Sequence, residues 1–198
     1  MRLVFVPSAP LLLADLGGGP EDLRSACQQA ISTLDGCSEL IVLGAGAPTG
    51  WCTGAVDTTP YGGPGRPASD PLPLALAVGA TLLGARPHRL RAVDGSPEAL
   101  ASGTGYLVVG DGTACRTEKA PGNLDPRAAA VDAAIAADLA AGRVPDLEPG
   151  LAAELHVAGA TVWRSLAGLS GTFDAELHYD AAPYGVGYLV ASWALVGS

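Results

Sequence analysis

The segment VVGDGTACRTEKAPG, residues 108–122, holds the densest group of reactive side chains in the chain. Six of them fall within nine positions: Asp111, Thr113, Cys115, Arg116, Glu118 and Lys119. Neighbouring cations favour a thiolate, so Cys115 is a candidate nucleophile, and Arg116 and Lys119 are candidate substrate-binding residues for a carboxylate. Asp111 is a candidate catalytic base or orienting group. The alternative is a loop whose charges pair with one another and whose cysteine is an inert small hydrophobic residue.

The position of this segment in the predicted fold favours a site. The apolar run Gly105–Val109 predicts a buried strand that ends immediately before Asp111. Open α/β proteins bind their ligands at the carboxyl ends of parallel strands. We therefore expect Asp111, Arg116 and Lys119 to converge on one concave site that favours anionic ligands.

The order of the predicted elements indicates one α/β domain over residues 1–198. Short apolar runs predict strands at 2–6, 39–43, 88–93 and 105–109, and helical spacing follows Pro20 and Asp125 and covers 74–83 and 151–166. Strand–helix–strand order with short connections implies a mostly parallel central sheet flanked by helices. Alternation at 172–179 and an apolar run at 187–195, joined by the turn AAPYG with Tyr184, predict a C-terminal antiparallel hairpin. The proline-rich stretch 58–73 is expected to be an irregular surface excursion.

The glycine-rich sequence GAGAPTG after the second predicted strand partly resembles a dinucleotide-binding loop. Thr49 stands where the third glycine of that fingerprint belongs, and the following residues WCTGAVD are not helical. A plain tight turn is the better interpretation, because glycine serves wherever the backbone bends sharply.

The three histidines do not form a convincing metal site in the sequence. His88 has arginines on both sides, and His156 is predicted on a helix, where Glu154 points away from it. His178 shares a predicted strand face with Glu176, but that face carries further acids and is expected to be solvated. No two-histidine, one-carboxylate iron site emerges, so we expect no metal.

Charge and cysteine usage exclude several classes of protein. The net charge is −9, and Lys119 is the only lysine, so a nucleic-acid partner is not expected. The cysteines lie at 27, 37, 52 and 115 without a CxxC pair, which argues against structural zinc and favours reduced thiols in the cytoplasm. The apolar start of the chain is broken by Pro7 and Pro10, so neither a signal peptide nor a membrane segment is expected.

Three segments resemble the class III extradiol ring-cleavage dioxygenases, in particular short bacterial proteins of the subunit-B-like type. They are VPSAPLLLADLGG at 6–18, GDGTACRTEKAPG at 110–122 and DAAPYGVGYLVASW at 180–193. The resemblance implies a core of mostly parallel strands with a pocket at the strand ends. Enzymes of that family bind ferrous iron through two histidines and a glutamate. Here Ser8 stands at the first ligand position, and GAGAPTGW, where the second is expected, has no histidine.

The resemblance therefore implies a diverged member that lacks the catalytic iron and retains the pocket. We expect that pocket to bind a small aromatic or anionic molecule, lined by Ser8, Asp111, Arg116, Lys119 and Tyr184. One alternative is an active oxygenase that holds Fe²⁺ through unusual ligands such as Asp111, Cys115 or Glu176. Another is a non-catalytic chain that assembles with an unlike subunit or with a second copy of itself.

Overall fold

A central sheet organises the chain, as seen in a computed structural model that describes residues 1–16 and 19–197, except for the side chain of Asp15. The strands are β1 (Arg2–Val6), β2 (Glu39–Ala45), β3 (Gly50–Cys52), β4 (Arg89–Val93), β5 (Thr104–Val109), β6 (Thr172–Ala181) and β7 (Tyr188–Gly197). The helices are α1 (Glu21–Ser32), α2 (Leu74–Leu83), α3 (Ala128–Ala140), α4 (Pro149–Glu154) and α5 (Ala160–Arg164). Single 3₁₀ turns lie at Pro10–Leu12, Ala14–Leu16 and Thr59–Tyr61.

The described strands form one sheet in the order β3-β4-β2-β5-β1-β7-β6. The four central strands β4, β2, β5 and β1 are parallel, whereas β3, β7 and β6 each pair antiparallel with their neighbour. The predicted α/β class, with its mostly parallel centre and C-terminal hairpin, is confirmed. Because β1 and β5 are adjacent, the residues that follow them meet at one edge of the sheet.

Two hydrophobic cores cover the two faces of the sheet. One contains Val4, Val42 and Leu107 against the apolar sides of α1 and α2. The other contains Phe5 and Trp193 against α3, α5 and Trp163. Every residue of β5 is buried, as expected for a central strand that packs on both faces.

The predicted helix across 151–166 is wrong. The chain forms α4, breaks at His156, which has a positive φ of 52°, and resumes as α5. The break lets the Gly159 N–H donate to the Asp111 carbonyl at 2.7 Å. It also brings the backbone of Gly159 against Gly110, where an added Cβ would come within 2.5 Å of the Gly159 Cα. Tertiary contact therefore overrides the helical periodicity here.

The predicted solvated face of β6 is also wrong at His178. A bulge interrupts the pairing between Leu177 and Tyr179, so strict alternation of the side chains stops there. Phe173 and Leu177 pack on the α3 side, whereas Tyr179 packs on the α1 side. The side chain of His178 is only 2% exposed.

Other differences are smaller. The edge strand β3 lies where only a turn was expected, and α3 begins at Ala128, with the Asp125 carboxylate accepting a hydrogen bond from the Arg127 N–H at 2.9 Å. Within the described ranges 1–16 and 19–197, no helix has the length and hydropathy to span a membrane.

Candidate functional site

A pocket of about 680 Å³ opens at the carboxyl ends of β1 and β5. Residues from five separate parts of the chain line it: Ala9, Pro10, Leu11, Leu16, Tyr61, Asp111, Ala114, Lys119, Pro121, His156, Ala158, Tyr184, Val186 and Tyr188. The walls are mainly aliphatic and aromatic, and few side chains in the lining carry charge. A mostly apolar cleft with a few polar groups is the usual form of a small-molecule site.

Asp111 and Ser8 join the two strand ends at the base of this pocket. The Ser8 N–H donates to Asp111 Oδ1 at 2.8 Å, and the Ser8 hydroxyl donates to Asp111 Oδ2 at 2.7 Å. Burial raises the pKa of the Asp111 carboxyl to about 6, although the two hydrogen bonds from Ser8 act in the opposite direction. The carboxyl therefore gains and loses a proton close to neutral pH.

Ser8 supports Asp111 and does not line the cavity itself. It is only 7% exposed and lies behind the carboxylate that it orients. The sequence placed Ser8 among the substrate-binding residues, and the structure instead gives it a positioning role. A backbone N–H and a hydroxyl that donate to the two oxygens of one carboxylate can hold it in one rotamer.

Three tyrosines form the aromatic part of the lining. Tyr184, in the β6–β7 turn as predicted, is 52% exposed, and Tyr61 reaches the pocket from the proline-rich excursion. Tyr188 is 4% exposed, and burial, followed by the nearby charge of Asp111, raises the pKa of its hydroxyl. Its phenol is therefore protonated at neutral pH and can donate a hydrogen bond into the pocket.

Lys119 lines the pocket as the sequence predicted. Its side chain is exposed, and within the part of the chain that the structure describes it forms no ion pair. Because it is a cation beside largely apolar walls, it is available to an anionic group of a ligand.

Arg116 does not join Asp111 and Lys119, which corrects the prediction that the three converge. Its guanidinium turns to the opposite side of the segment and donates to Asp132 Oδ2 at 2.9 Å. Asp132, on the inner face of α3, also accepts hydrogen bonds from the Thr113 N–H at 2.7 Å and the Thr113 hydroxyl at 3.0 Å. We call these three residues, Thr113, Arg116 and Asp132, the Asp132 clasp. The clasp fixes the pocket segment to α3.

Cys115 also lies away from the pocket. It is 1% exposed and packs in the core on the α3 side. Burial raises the pKa of the Cys115 thiol, and the nearby charges of Asp125 and Asp132 raise it further, while Arg127 lowers it. A buried thiol that is held protonated is a poor nucleophile, so this environment corresponds to the inert alternative.

His156 is a pocket residue that sequence reasoning missed. The sequence predicts it within a continuous helix, but the break after α4 turns its ring into the lining. Its ring packs against Gly122, where an added Cβ would come within 2.7 Å of the His156 Cδ2. Gly159, inside the supposed helix, was the one signal in the sequence that could have shown the break.

The residues of this chain do not match the two histidines and one glutamate that bind iron in the family it resembles. Among residues 1–16 and 19–197, no three His, Cys, Asp or Glu side chains are grouped so that they could hold a metal ion. The unusual ligands considered above are dispersed, since Asp111 lines the pocket, Cys115 lies in the opposite core, and Glu176 lies on β6 near the start of β1. No step through iron is therefore derived.

Comparison with the models of known protein families gives no match to this chain, and comparison with curated proteins gives none either. The resemblance to class III extradiol dioxygenases thus stays a prediction that depends on the three sequence segments.

Proposed function

We propose that this chain binds a small aromatic molecule that carries an anionic group, in the pocket at the carboxyl ends of β1 and β5. The observation that carries the proposal is the combination, in one lining, of apolar and aromatic walls with a single lysine at Lys119 and a titrating carboxyl at Asp111. The volume of about 680 Å³ accommodates a one- or two-ring compound.

The polar groups would divide the recognition between them. Lys119 would pair with a carboxylate or phosphate, and the hydroxyl of Tyr188 would donate to a ligand oxygen. Asp111, whose pKa is raised to about 6, would accept a hydrogen bond or a proton from a hydroxyl of the ligand. Proton transfer is thus the chemistry that these side chains themselves can supply.

We further propose that the site works without iron and that the protein acts in the cytoplasm. The proposal of a site without iron is supported by Ser8, which stands at the position of the first histidine ligand. Its hydroxyl is a weak ligand and already donates a hydrogen bond to Asp111. Stoichiometric iron in protein purified without chelator, lost on replacement of Asp111 or Glu176, would favour the oxygenase alternative. So would cleavage of catechol in air.

Binding is tested by titrating the ¹⁵N-labelled protein with benzoate, 4-hydroxybenzoate and phenol. We expect saturable shifts at pocket residues, with the two carboxylates binding more tightly than phenol. Lys119→Met is expected to weaken benzoate binding by about tenfold or more, since a charge-assisted contact contributes about 1.5 to 3 kcal/mol. It should leave phenol binding unchanged, because phenol has no anionic group.

Arg143→Met is the matched control. It also removes one positive charge, but Arg143 is exposed and paired with Asp138 at 2.8 Å, away from the pocket lining. If both variants weaken benzoate equally, the effect is one of net charge and the assigned role of Lys119 is wrong. If none of the three probes binds up to millimolar concentration, while a second protein copurifies in fixed ratio, the chain is instead a partner subunit.

A further inference from the structure

A second group of reactive side chains lies on the β6–β7 hairpin, and the cavity beside it shares no lining residue with the pocket. The imidazole Nε2 of His178 lies 2.8 Å from the Ser192 hydroxyl oxygen. Its Nδ1 lies 3.7 Å from Glu176 Oε1, on the other side of the ring. A hydroxyl, an imidazole and a carboxylate in that order are the arrangement that activates a serine nucleophile.

The strand pairing explains why the three side chains meet. Glu176 and Ser192 are paired across the two strands, so their side chains lie on the same face of the sheet. His178 follows Glu176 by two residues before the register shift, so strand alternation places it on that same face. The imidazole is buried, whereas Glu176 is 67% exposed.

The hydrogen-bond arrangement also favours one tautomer. With the carboxylate beside Nδ1, the proton is placed on Nδ1 and Nε2 is left as an acceptor for the Ser192 hydroxyl. In this state His178 can remove the hydroxyl proton, which is the role of a general base. The 3.7 Å separation is longer than a hydrogen bond, and the exposed Glu176 side chain is free to close it.

A cavity of about 270 Å³ opens beside this group. Ser192, Glu176, Asp174 and Arg2 are among the residues that line it. Arg2 Nη1 donates to the carbonyl of Thr33 at 2.5 Å and to that of Asp35 at 2.7 Å, which holds the guanidinium at the cavity. A fixed cation is suited to stabilising negative charge that develops on a carbonyl oxygen.

We propose that Ser192 is the nucleophile of a second site, which takes the acyl group of a small, uncharged ester. The Ser192 oxygen attacks the ester carbonyl, and His178 accepts the hydroxyl proton. The bond to the leaving alcohol then breaks, and His178 returns the proton to that alcohol. Water hydrolyses the acyl-serine by the same two proton transfers. Glu176 is a positioning residue for His178, and the small cavity limits the acyl chain to a few carbons.

The test is labelling of the full chain with a rhodamine fluorophosphonate, which reacts with activated serine hydroxyls, followed by intact mass and peptide mapping. We expect one label per chain, located on Ser192 and absent from Ser192→Ala. His178→Gln is expected to slow labelling by about 100-fold, the effect of losing a general base. Hydrolysis of 4-nitrophenyl acetate should fall in the same order.

Matched variants separate activation from structure. Asp138→Asn removes a carboxylate that lies outside this cavity and should label at the wild-type rate, whereas Glu176→Gln should label more slowly and Glu176→Asp should recover part of the rate. Ser8→Ala should also label normally, because Ser8 belongs to the other site. If the wild-type protein labels no faster than Ser192→Ala, or labels elsewhere, the proposal is wrong and the hydrogen bond serves only to satisfy a buried histidine.

Discussion

Two aspartates, Asp111 in the segment 110–122 and Asp132 on α3, show how differently one fold can use the same side chain. Asp132 is 1% exposed and receives three hydrogen bonds, one of them from the Arg116 cation. Asp111 receives both of its hydrogen bonds from Ser8 and borders the pocket. The first carboxylate has a compensating charge and no access to ligand. Within the described part of the chain, the second carboxylate has no cation as a hydrogen-bond partner, and burial raises its pKa to about 6.

Close backbone packing surrounds the carboxylate of Asp132. An added Cβ at Gly112 would come within 2.6 Å of Asp132 Oδ1, and one at Gly187 within 2.5 Å of Oδ2. The Asp132 clasp therefore joins α3, the pocket segment and the β6–β7 turn at a place where no other side chain fits. The fully hydrogen-bonded carboxylate of Asp132 stabilises the fold, whereas the less fully bonded carboxylate of Asp111 remains accessible to a ligand.

The largest expected effect is the loss of the clasp. Asp132→Ala leaves Arg116 and the Thr113 N–H without their partner inside the protein, so we expect the free energy of unfolding to fall by about 3 to 5 kcal/mol. Urea denaturation at neutral pH measures the change. Asp138→Ala is the control, because it breaks an exposed pair with Arg143 and should cost no more than about 1 kcal/mol. Equal losses of stability in the two variants would show that the buried Asp132 contributes no more than an exposed, paired acid.

Asp111→Asn is expected to remove a pH dependence of stability. The folded-state pKa of Asp111, about 6, lies above its ordinary value of 3.8, so the folded protein holds this proton more tightly than the unfolded chain. The stabilisation is complete below pH 3.8 and is lost as pH rises through about 6, with a total of about 3 kcal/mol. We expect the stability of wild type relative to Asp111→Asn to decline over that interval. A constant difference between the two proteins would show that the carboxyl is not perturbed.

Ser8→Ala tests the environment of Asp111 in a second way, and its expected effect on stability is smaller. The hydroxyl lowers the pKa of Asp111, so its removal should raise that pKa further above its ordinary value. A charge-assisted hydrogen bond is also lost when Asp111 is ionised, and we expect a cost of about 1.5 to 3 kcal/mol at pH 8 and less at pH 4. Side-chain ¹³C shifts of Asp111 followed by NMR measure the titration. An unchanged titration would mean that the Ser8 hydroxyl does not act on the carboxyl.

Tyr184→Phe has the smallest expected effect on stability. The ring is 52% exposed, so loss of its hydroxyl should change the free energy of unfolding by less than about 0.5 kcal/mol. If the hydroxyl contacts ligand, 4-hydroxybenzoate binding should weaken while the melting temperature stays the same. A loss of about 1 kcal/mol in stability alone would instead indicate a structural hydrogen bond.

Much of the fold could be predicted from local patterns. The apolar runs of β1 and β5 and the helical spacing of α2 are strong signals, because packing on the sheet reinforces what the local sequence prefers. The two failures, at His156 and at His178, both depend on contacts between distant residues. At His156 a left-handed residue shifts the side-chain period by a local change that hydrophobic patterning does not encode. His178 keeps the face that alternation predicts, but it lies there against Ser192 of β7, a contact that the sequence of β6 alone does not show.

The candidate site was predicted in part for the same reason. Asp111 and Lys119 follow directly from the end of β5, and Tyr184 from the hairpin turn. The orientation of Arg116 could not be found in the same way, because it depends on Asp132, a polar residue on an otherwise apolar helix face. An aspartate at position 132, on an apolar helix face, was the feature of the sequence that could have predicted the Asp132 clasp. Buried acids on apolar faces require partners, and the nearest cation supplies one.

The pairing of Ser8 with Asp111 has a consequence for the kinetics of folding. The two residues are 103 positions apart in the chain, and the lining extends from Ala9 to Tyr188, so the cavity closes only after most of the chain has been ordered. Contacts of such long range form slowly, because the intervening chain must first lose its loop entropy. A ligand would consequently recognise only the completed fold and would slow its global unfolding. Added during refolding, it would leave the earlier steps unchanged.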